Sequence, residues 1–124
     1  MKRDMELIRD ILVAIEECDD PHGPGRLESP HHNPSVVTYH IGLLVDAGYV
    51  RATDASTHQG HTFLVKGLTM QGHDLAASLQ DPDVWSETKA KLGDRFGRAA
   101  LEVVAAAAVA VAKDQIKRIT GLDL

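Results

Sequence analysis

The spacing of apolar residues changes along the chain, and each spacing predicts a different element. Between residues 4 and 18 apolar side chains recur every three or four positions opposite a charged face, which predicts an amphipathic helix capped by Asp4. Residues 34–47 repeat this spacing after Asn33, a cap residue, and Pro34 at the first helical position, and Gly48 is expected to end that helix. The intervening residues 21–33 contain three prolines and two glycines, which predicts a loop with a short extended piece at 26–28.

The second half of the chain begins with strands and returns to helices. Residues 49–53 and 62–68 are rich in β-branched and apolar side chains around a polar connection, which predicts a two-stranded hairpin with a mobile tip. Three helices are expected to follow: 70–80, capped by Thr69; a second from Pro82 through about Phe96; and an alanine-rich helix at 98–120, ended by Gly121. The predicted fold is α+β, mainly helical, in one domain: a core at 1–68 and a helical extension at 69–124.

Composition narrows the function classes. The 124 residues carry a formal charge of −5, which excludes a strongly basic coat protein for nucleic acid or membrane surfaces. One cysteine, Cys18, excludes an intrachain disulfide and a cysteine-based zinc site. The first residues lack a secretory pattern, and the apolar run 99–112 is too short to span a bilayer, which needs about 20 residues. We therefore expect a cytoplasmic protein without membrane association.

Two segments resemble the winged-helix superfamily. Residues 39–50 (YHIGLLVDAGYV) are similar to the end of a recognition helix entering the wing, and residues 68–73 (LTMQGH) to the step from the wing into the next helix. The resemblance implies a winged helix-turn-helix core, with the wing at about 49–68 and a C-terminal extension of two or three helices. The middle helix of that motif has no good counterpart, because prolines and glycines crowd residues 21–30.

A narrower resemblance rests on several short segments taken together. Residues 1–9 (MKRDMELIR), 39–40 with 46–48, 68–69 with 72–74, and Trp85 are similar to one bacterial and phage family, a domain of unknown function with a winged-helix core. The similarity covers roughly residues 1–90. It implies a fold and carries no function with it.

Double-stranded DNA is the first expected partner of such a fold. Helix 34–47 would lie in the major groove with its outward residues facing the bases, and the hairpin would track the phosphates. The nucleic-acid-binding residues predicted on this basis are Ser35, Thr38, Tyr39, Arg51, His58, His61 and Lys66. If they bind DNA, affinity should fall steeply with salt and should rise from pH 7.5 to 6 as histidines gain charge.

The charge pattern keeps a second class open. No lysine or arginine occurs between Asn33 and Val50, and Asp46 is negative, whereas phosphate neutralisation supplies much of the affinity for DNA. The alternative is a protein-interaction module, such as a phage or prophage accessory protein, without specific DNA binding.

Candidate chemistry is sparse elsewhere. All seven histidines lie between residues 22 and 73, but His58 with His61, or His31 with His32, lacks the further ligands that a metal site needs. His40 and His73 are expected to be hydrogen-bonded, partly buried side chains, and Cys18 a small core residue. No catalytic or phosphate-binding motif is present. We expect no enzyme, no cofactor and no metal.

The apolar pattern of the alanine-rich helix bears on whether the protein is a monomer or a homodimer. Residues 103–111 are apolar on every side, and a helix of this kind is normally buried on every side. Two arrangements remain open: the neighbouring helices wrap it within one chain, or it forms a homodimer interface. The interface residues predicted for the homodimer are Leu101, Val104, Ala107, Ala108 and Val111.

Overall fold

The computed structural model describes residues 1–122 and has an α+β, mainly helical fold. The chain forms two compact units, Met1–Ala76 and a second that begins at Ala77. The elements are α1 (Met5–Glu16), α2 (Pro34–Asp46), β1 (Val50–Asp54), β2 (Phe63–Leu68), α3 (Met70–Gln80), α4 (Pro82–Leu92), a short 3₁₀ turn (Gly93–Arg95) and α5 (Leu101–Thr120).

The core of the first unit lies where α1, α2 and the β1–β2 hairpin meet. The apolar stripes predicted for α1 and α2 are buried, and Val50, Val65 and Leu68 of the hairpin complete this core. Asp4 caps α1 as predicted, because its carboxylate accepts the backbone N–H groups of Glu6 and Leu7 at 3.0 and 3.2 Å. Asn33 precedes Pro34 at the start of α2, but its side chain makes no capping hydrogen bond.

The segment between α1 and α2 is irregular, as predicted. Its extended contact falls at Gly25 rather than at residues 26–28: Gly25 and Val65 exchange two backbone hydrogen bonds of 3.1 and 2.7 Å. β2 therefore has β1 on one edge and a single bridged residue on the other. No helix occurs between Glu17 and Asn33.

β1 and β2 form an antiparallel hairpin, and backbone hydrogen bonds close the turn at its tip. A register shift falls between Arg51 and Ala52, which places an extra residue on β2. At the tip, Thr57 and Gly60 exchange backbone hydrogen bonds of 2.9 and 3.1 Å, so His58 and Gln59 occupy a tight turn.

Thr69 joins the hairpin to α3. Its hydroxyl donates to the carbonyl of Gly48 at 2.6 Å and accepts the backbone N–H of Gly72 at 3.1 Å, which confirms the predicted cap. Gly72 is buried, and a Cβ atom there would lie 2.0 Å from the carbonyl oxygen of Tyr49. Gly48 has a φ of 84°, the left-handed conformation expected where the chain leaves α2 and turns toward β1.

In the second unit α4 packs against α5. Asp81 caps α4 by accepting the N–H of Asp83 at 2.8 Å. The predicted end of α4 at Phe96 is wrong: the helix stops at Leu92, because Gly93 has a φ of 53° and only a 3₁₀ turn follows. α5 begins at Leu101 rather than Arg98, since Ala100 is extended, and it ends at left-handed Gly121 as predicted.

α5 buries one stripe and exposes the other. Val104, Ala108 and Val111 are 0% exposed within a single chain, and Leu101 and Ala107 are half-buried. The opposite stripe leaves Val103, Val109 and Ile116 at 50%, 39% and 42% exposure. Three of the five predicted interface residues are thus already covered in the monomer, and a second copy would meet α5 on its other face.

Candidate binding groove

A groove of about 530 Å³ lies between the outer face of α2 and the hairpin. We call it the α2–hairpin groove; it is lined by Met1, Ser35, Thr38, Tyr39, Gly42, Leu43, Asp46, His61 and Phe63. Four of the seven predicted nucleic-acid-binding residues therefore share one surface: Ser35, Thr38, Tyr39 and His61.

Helical spacing explains the α2 wall. Positions 38 and 39 lie about one helical turn after 35 and one turn before 42, so all four share the face opposite the buried stripe of Val37, Ile41 and Leu44. The hairpin lies close to Gly42, because a Cβ atom at that position would be in van der Waals contact with Cε2 of Phe63 at 3.4 Å. The Phe63 ring thereby forms the opposite wall.

A hydrogen-bonded chain positions His61 beside Phe63. Nδ1 of His61 lies 2.9 Å from Oγ of Ser56, and that hydroxyl donates to Oδ1 of Asp54. The hydrogen bond from the Ser56 side chain, followed by the one from its backbone N–H, lowers the pKa of Asp54. The His61 ring meets Phe63 edge-on, with centroids 4.9 Å apart.

The direction of the hydrogen bonds among Asp54, Ser56 and His61 determines what these side chains can do chemically. The hydroxyl proton of Ser56 goes to Asp54, so Nδ1 of His61 is the donor to Ser56 and cannot take that proton. A nucleophilic serine needs the histidine as its base. The three residues therefore order the hairpin tip rather than activate Ser56.

His40 anchors the start of the chain next to the groove. It is fully buried; its Nε2 accepts the backbone N–H of Asp4 at 2.8 Å, and its Nδ1 donates to the carbonyl of Val36 at 2.8 Å. These partners fix the neutral imidazole in one tautomer, because an N–H can only donate and a carbonyl can only accept. The expectation that His40 is a hydrogen-bonded structural residue is confirmed.

Asp4 is held by several donors at this anchor. Its partial burial acts to raise the pKa of the carboxyl, but hydrogen bonds from the Leu7 N–H, the His32 ring and the Glu6 N–H outweigh burial and lower that pKa. Met1 lies three residues before Asp4, at the groove wall, with its side chain mostly exposed.

The groove is largely apolar and contains no lysine or arginine. Four of its nine lining residues are aromatic or aliphatic with large side chains, and Asp46 is the one acidic residue among them. Arg51, Lys66 and His58 are exposed, but none of the three lines the groove. Of the four predicted hairpin residues, His61 alone lines the groove beside the predicted base-reading face of α2.

Five groove residues are absent from the predicted binding residues: Met1, Gly42, Leu43, Asp46 and Phe63. Phe63 lies two positions before buried Val65 on β2, so the two side chains point to the same face of the hairpin. Leu43 lies four residues after Tyr39, about one helical turn, so the helical period also places it near the outward face of α2. Met1 had no local signal, because its position beside α2 and Phe63 brings together residues distant in the chain.

The remaining histidines and Cys18 do not assemble a site. His73 bonds to a carboxylate oxygen of Glu16 but is 53% exposed, so its predicted partial burial is wrong. Cys18 is half-buried at the end of α1. Among residues 1–122, no three metal-ligating side chains come together, and no helix is both long and apolar enough to cross a membrane.

Comparison with known proteins identifies the family of the chain. A family model described as "Hypothetical protein (DUF2513)" matches residues 2–97, and the chain belongs to this family. A relative from Haemophilus influenzae, described as "Uncharacterized protein", is 32% identical over 90 residues, covering 72% of this chain and 76% of that protein. No solved structure matches the chain.

Proposed function

We propose that this chain is a non-enzymatic protein of bacterial or phage origin that binds a segment of a partner protein in the α2–hairpin groove. The observation that carries the proposal is the lining of the groove, in which four aromatic or aliphatic side chains lie with one aspartate and with neither lysine nor arginine. Small-molecule and peptide sites have this character, whereas DNA-binding surfaces are rich in lysine and arginine.

The first unit fits a winged-helix variant adapted to this role. The order of α1, a bridged residue, α2 and a hairpin supports this interpretation. A loop stands where the middle helix would be, and that helix crosses the DNA backbone in DNA-binding members of the helix-turn-helix class. A variant without it retains the groove but loses one set of phosphate contacts.

The chemistry of the groove defines the partner segment. Tyr39, Leu43 and Phe63 offer aromatic and aliphatic surface to a large apolar side chain. Asp46 at the same surface favours a lysine or arginine close to that side chain. We therefore expect a segment with an aromatic or aliphatic anchor and a basic neighbour.

A peptide display library tests this proposal. Random dodecapeptides are selected on the unmodified chain and depleted on a Gly42→Leu variant, whose side chain fills the space beside Phe63. Enriched peptides should carry an apolar anchor with a basic residue nearby. In fluorescence polarisation, Tyr39→Ala or Asp46→Lys should weaken their binding by about tenfold or more, the usual cost of losing a central contact.

The control is the double variant Arg51→Ala/Lys66→Ala, because neither residue lines the groove. It should leave peptide affinity unchanged. The proposal fails if no peptide is enriched, or if Tyr39→Ala and Asp46→Lys have no effect. A mobility shift on duplex DNA that is lost at high salt and abolished by the control variant would favour the DNA-binding regulator instead.

A further inference from the structure

We infer that α5 pairs with α5 of a second copy in antiparallel orientation, through the stripe that faces away from α4. This interface is independent of the α2–hairpin groove, because every residue involved lies in the second unit. It also differs from the interface predicted from the sequence, whose central residues are buried in the monomer.

The outward stripe has the spacing of a helix-pairing seam. Residues follow at alternating intervals of four and three along nearly the whole helix, at Glu102, Ala106, Val109, Lys113 and Ile116. Val103 and Ala110 flank the seam, and all seven residues are exposed. Ala106 and Ala110 allow close approach of a second helix. Val103, Val109 and Ile116 supply the apolar area.

Charge along the stripe selects a second copy as the occupant. Glu102 lies at the start of α5, and Lys113 and Lys117 lie near its end. An antiparallel pair places Glu102 of each copy beside the lysines of the other copy, so the ion pairs form twice. A parallel pair would put like charges together, which is unfavourable. The stripe is therefore complementary to itself in one orientation.

The area of the α5 interface determines how tightly the two copies are expected to associate. The seam from residue 102 to residue 117 is about 24 Å long at 1.5 Å per residue. One helix pair of this length buries less than a standard interface, so we expect a dissociation constant on the order of micromolar. The family match ends at residue 97, so this stripe lies outside the matched region.

Sedimentation equilibrium on the full chain from about 1 to 200 µM tests the pairing, since this range brackets a micromolar constant. The unmodified chain should change from monomer to dimer. Glu102→Lys should weaken association by about tenfold or more through repulsion at two symmetric places. Adding Lys113→Glu and Lys117→Glu to that variant should restore association to within about threefold, because the charge order is only reversed.

Two further variants separate the interface from folding. Val109→Asp should abolish association, whereas Met70→Glu, which charges an apolar residue 77% exposed on α3, should not change it. Circular dichroism must show native helix content in every variant. A chain that stays monomeric throughout the concentration range, or a charge reversal that fails to restore association, would overturn the antiparallel pairing.

Discussion

At the scale of single residues, close backbone approach determines what Gly72 can be. A Cβ atom at Gly72 would lie 2.0 Å from the carbonyl oxygen of Tyr49, and that carbonyl belongs to the turn entering β1. We expect Gly72→Ala to lower the free energy of unfolding by roughly 2 kcal/mol, the usual scale for overpacking that backbone must relieve. Urea unfolding monitored by circular dichroism measures this change.

Gly97 provides the matched control, because no atom lies within 4 Å of a Cβ placed there. Gly97→Ala should change the free energy of unfolding by no more than about 0.5 kcal/mol. Equal effects of the two substitutions would contradict the close approach between Gly72 and Tyr49.

The Asp4 carboxylate makes stability depend on pH. Its folded pKa lies below the ordinary value of 3.8, so its contribution is present above that value and is lost as pH falls through the folded pKa. At neutral pH we expect Asp4→Ala to cost about 1 kcal/mol, the typical loss for an N-cap. The difference between the two proteins should shrink on acidification, as followed by urea unfolding at several pH values.

Asp10→Ala is the comparison for Asp4→Ala, since Asp10 is an exposed carboxylate within α1 that caps nothing. Its effect should stay within about 0.5 kcal/mol and should not vary with pH in the same way. A pH-independent cost of Asp4→Ala would mean that the capping hydrogen bonds do not depend on the charge.

At the scale of elements, the two stripes of α5 have different roles. Val111 is fully buried and Val109 is 39% exposed, although both belong to the same apolar run. Val111→Ala should therefore cost about 2 kcal/mol, from lost burial and the cavity left behind. Val109→Ala should cost no more than about 0.5 kcal/mol when unfolding is measured at concentrations where the chain is monomeric. The reverse ranking would show that the inward face of α5 is misassigned.

The end of α4 shows that two nearby glycines can satisfy the same rule for helix termination. The predicted end of α4 at Phe96 lies directly before Gly97, but Gly93 ends the helix four residues earlier with a positive φ. Both glycines satisfy the same sequence rule, and packing of Phe96 against the Trp85 ring, with centroids 5.2 Å apart, accompanies the earlier stop. The sequence therefore predicts that α4 ends at a glycine without telling which one.

At the scale of the whole molecule, charge separates the two units. Residues 1–76 contain six lysines and arginines against eleven aspartates and glutamates, and they contain all seven histidines. The remaining residues contain seven of each sign. The entire negative excess thus lies in the unit that would have to approach DNA, where it opposes association with phosphate. A partner segment with a basic residue meets no such opposition.

The sequence by itself determined the elements and most of their caps. Hydrophobic spacing predicted α1, α2, the hairpin and α3 to within two residues, because amphipathic patterns and cap residues such as Asp4 and Thr69 act over a few positions. It also predicted that Ser35, Thr38 and Tyr39 share an outward face, since this follows from the helical period.

Only the tertiary structure decided which surfaces of the helices and strands meet. Phe63 and Met1 line the groove, whereas Arg51 and Lys66 do not, because strand pairing and the packing of distant segments determine which residues meet. An alanine-rich helix likewise has no periodic signal that distinguishes its faces, so burial of Val104 and Val111 depends on where α4 packs. Local spacing determines elements, but the meeting of distant surfaces requires the folded chain.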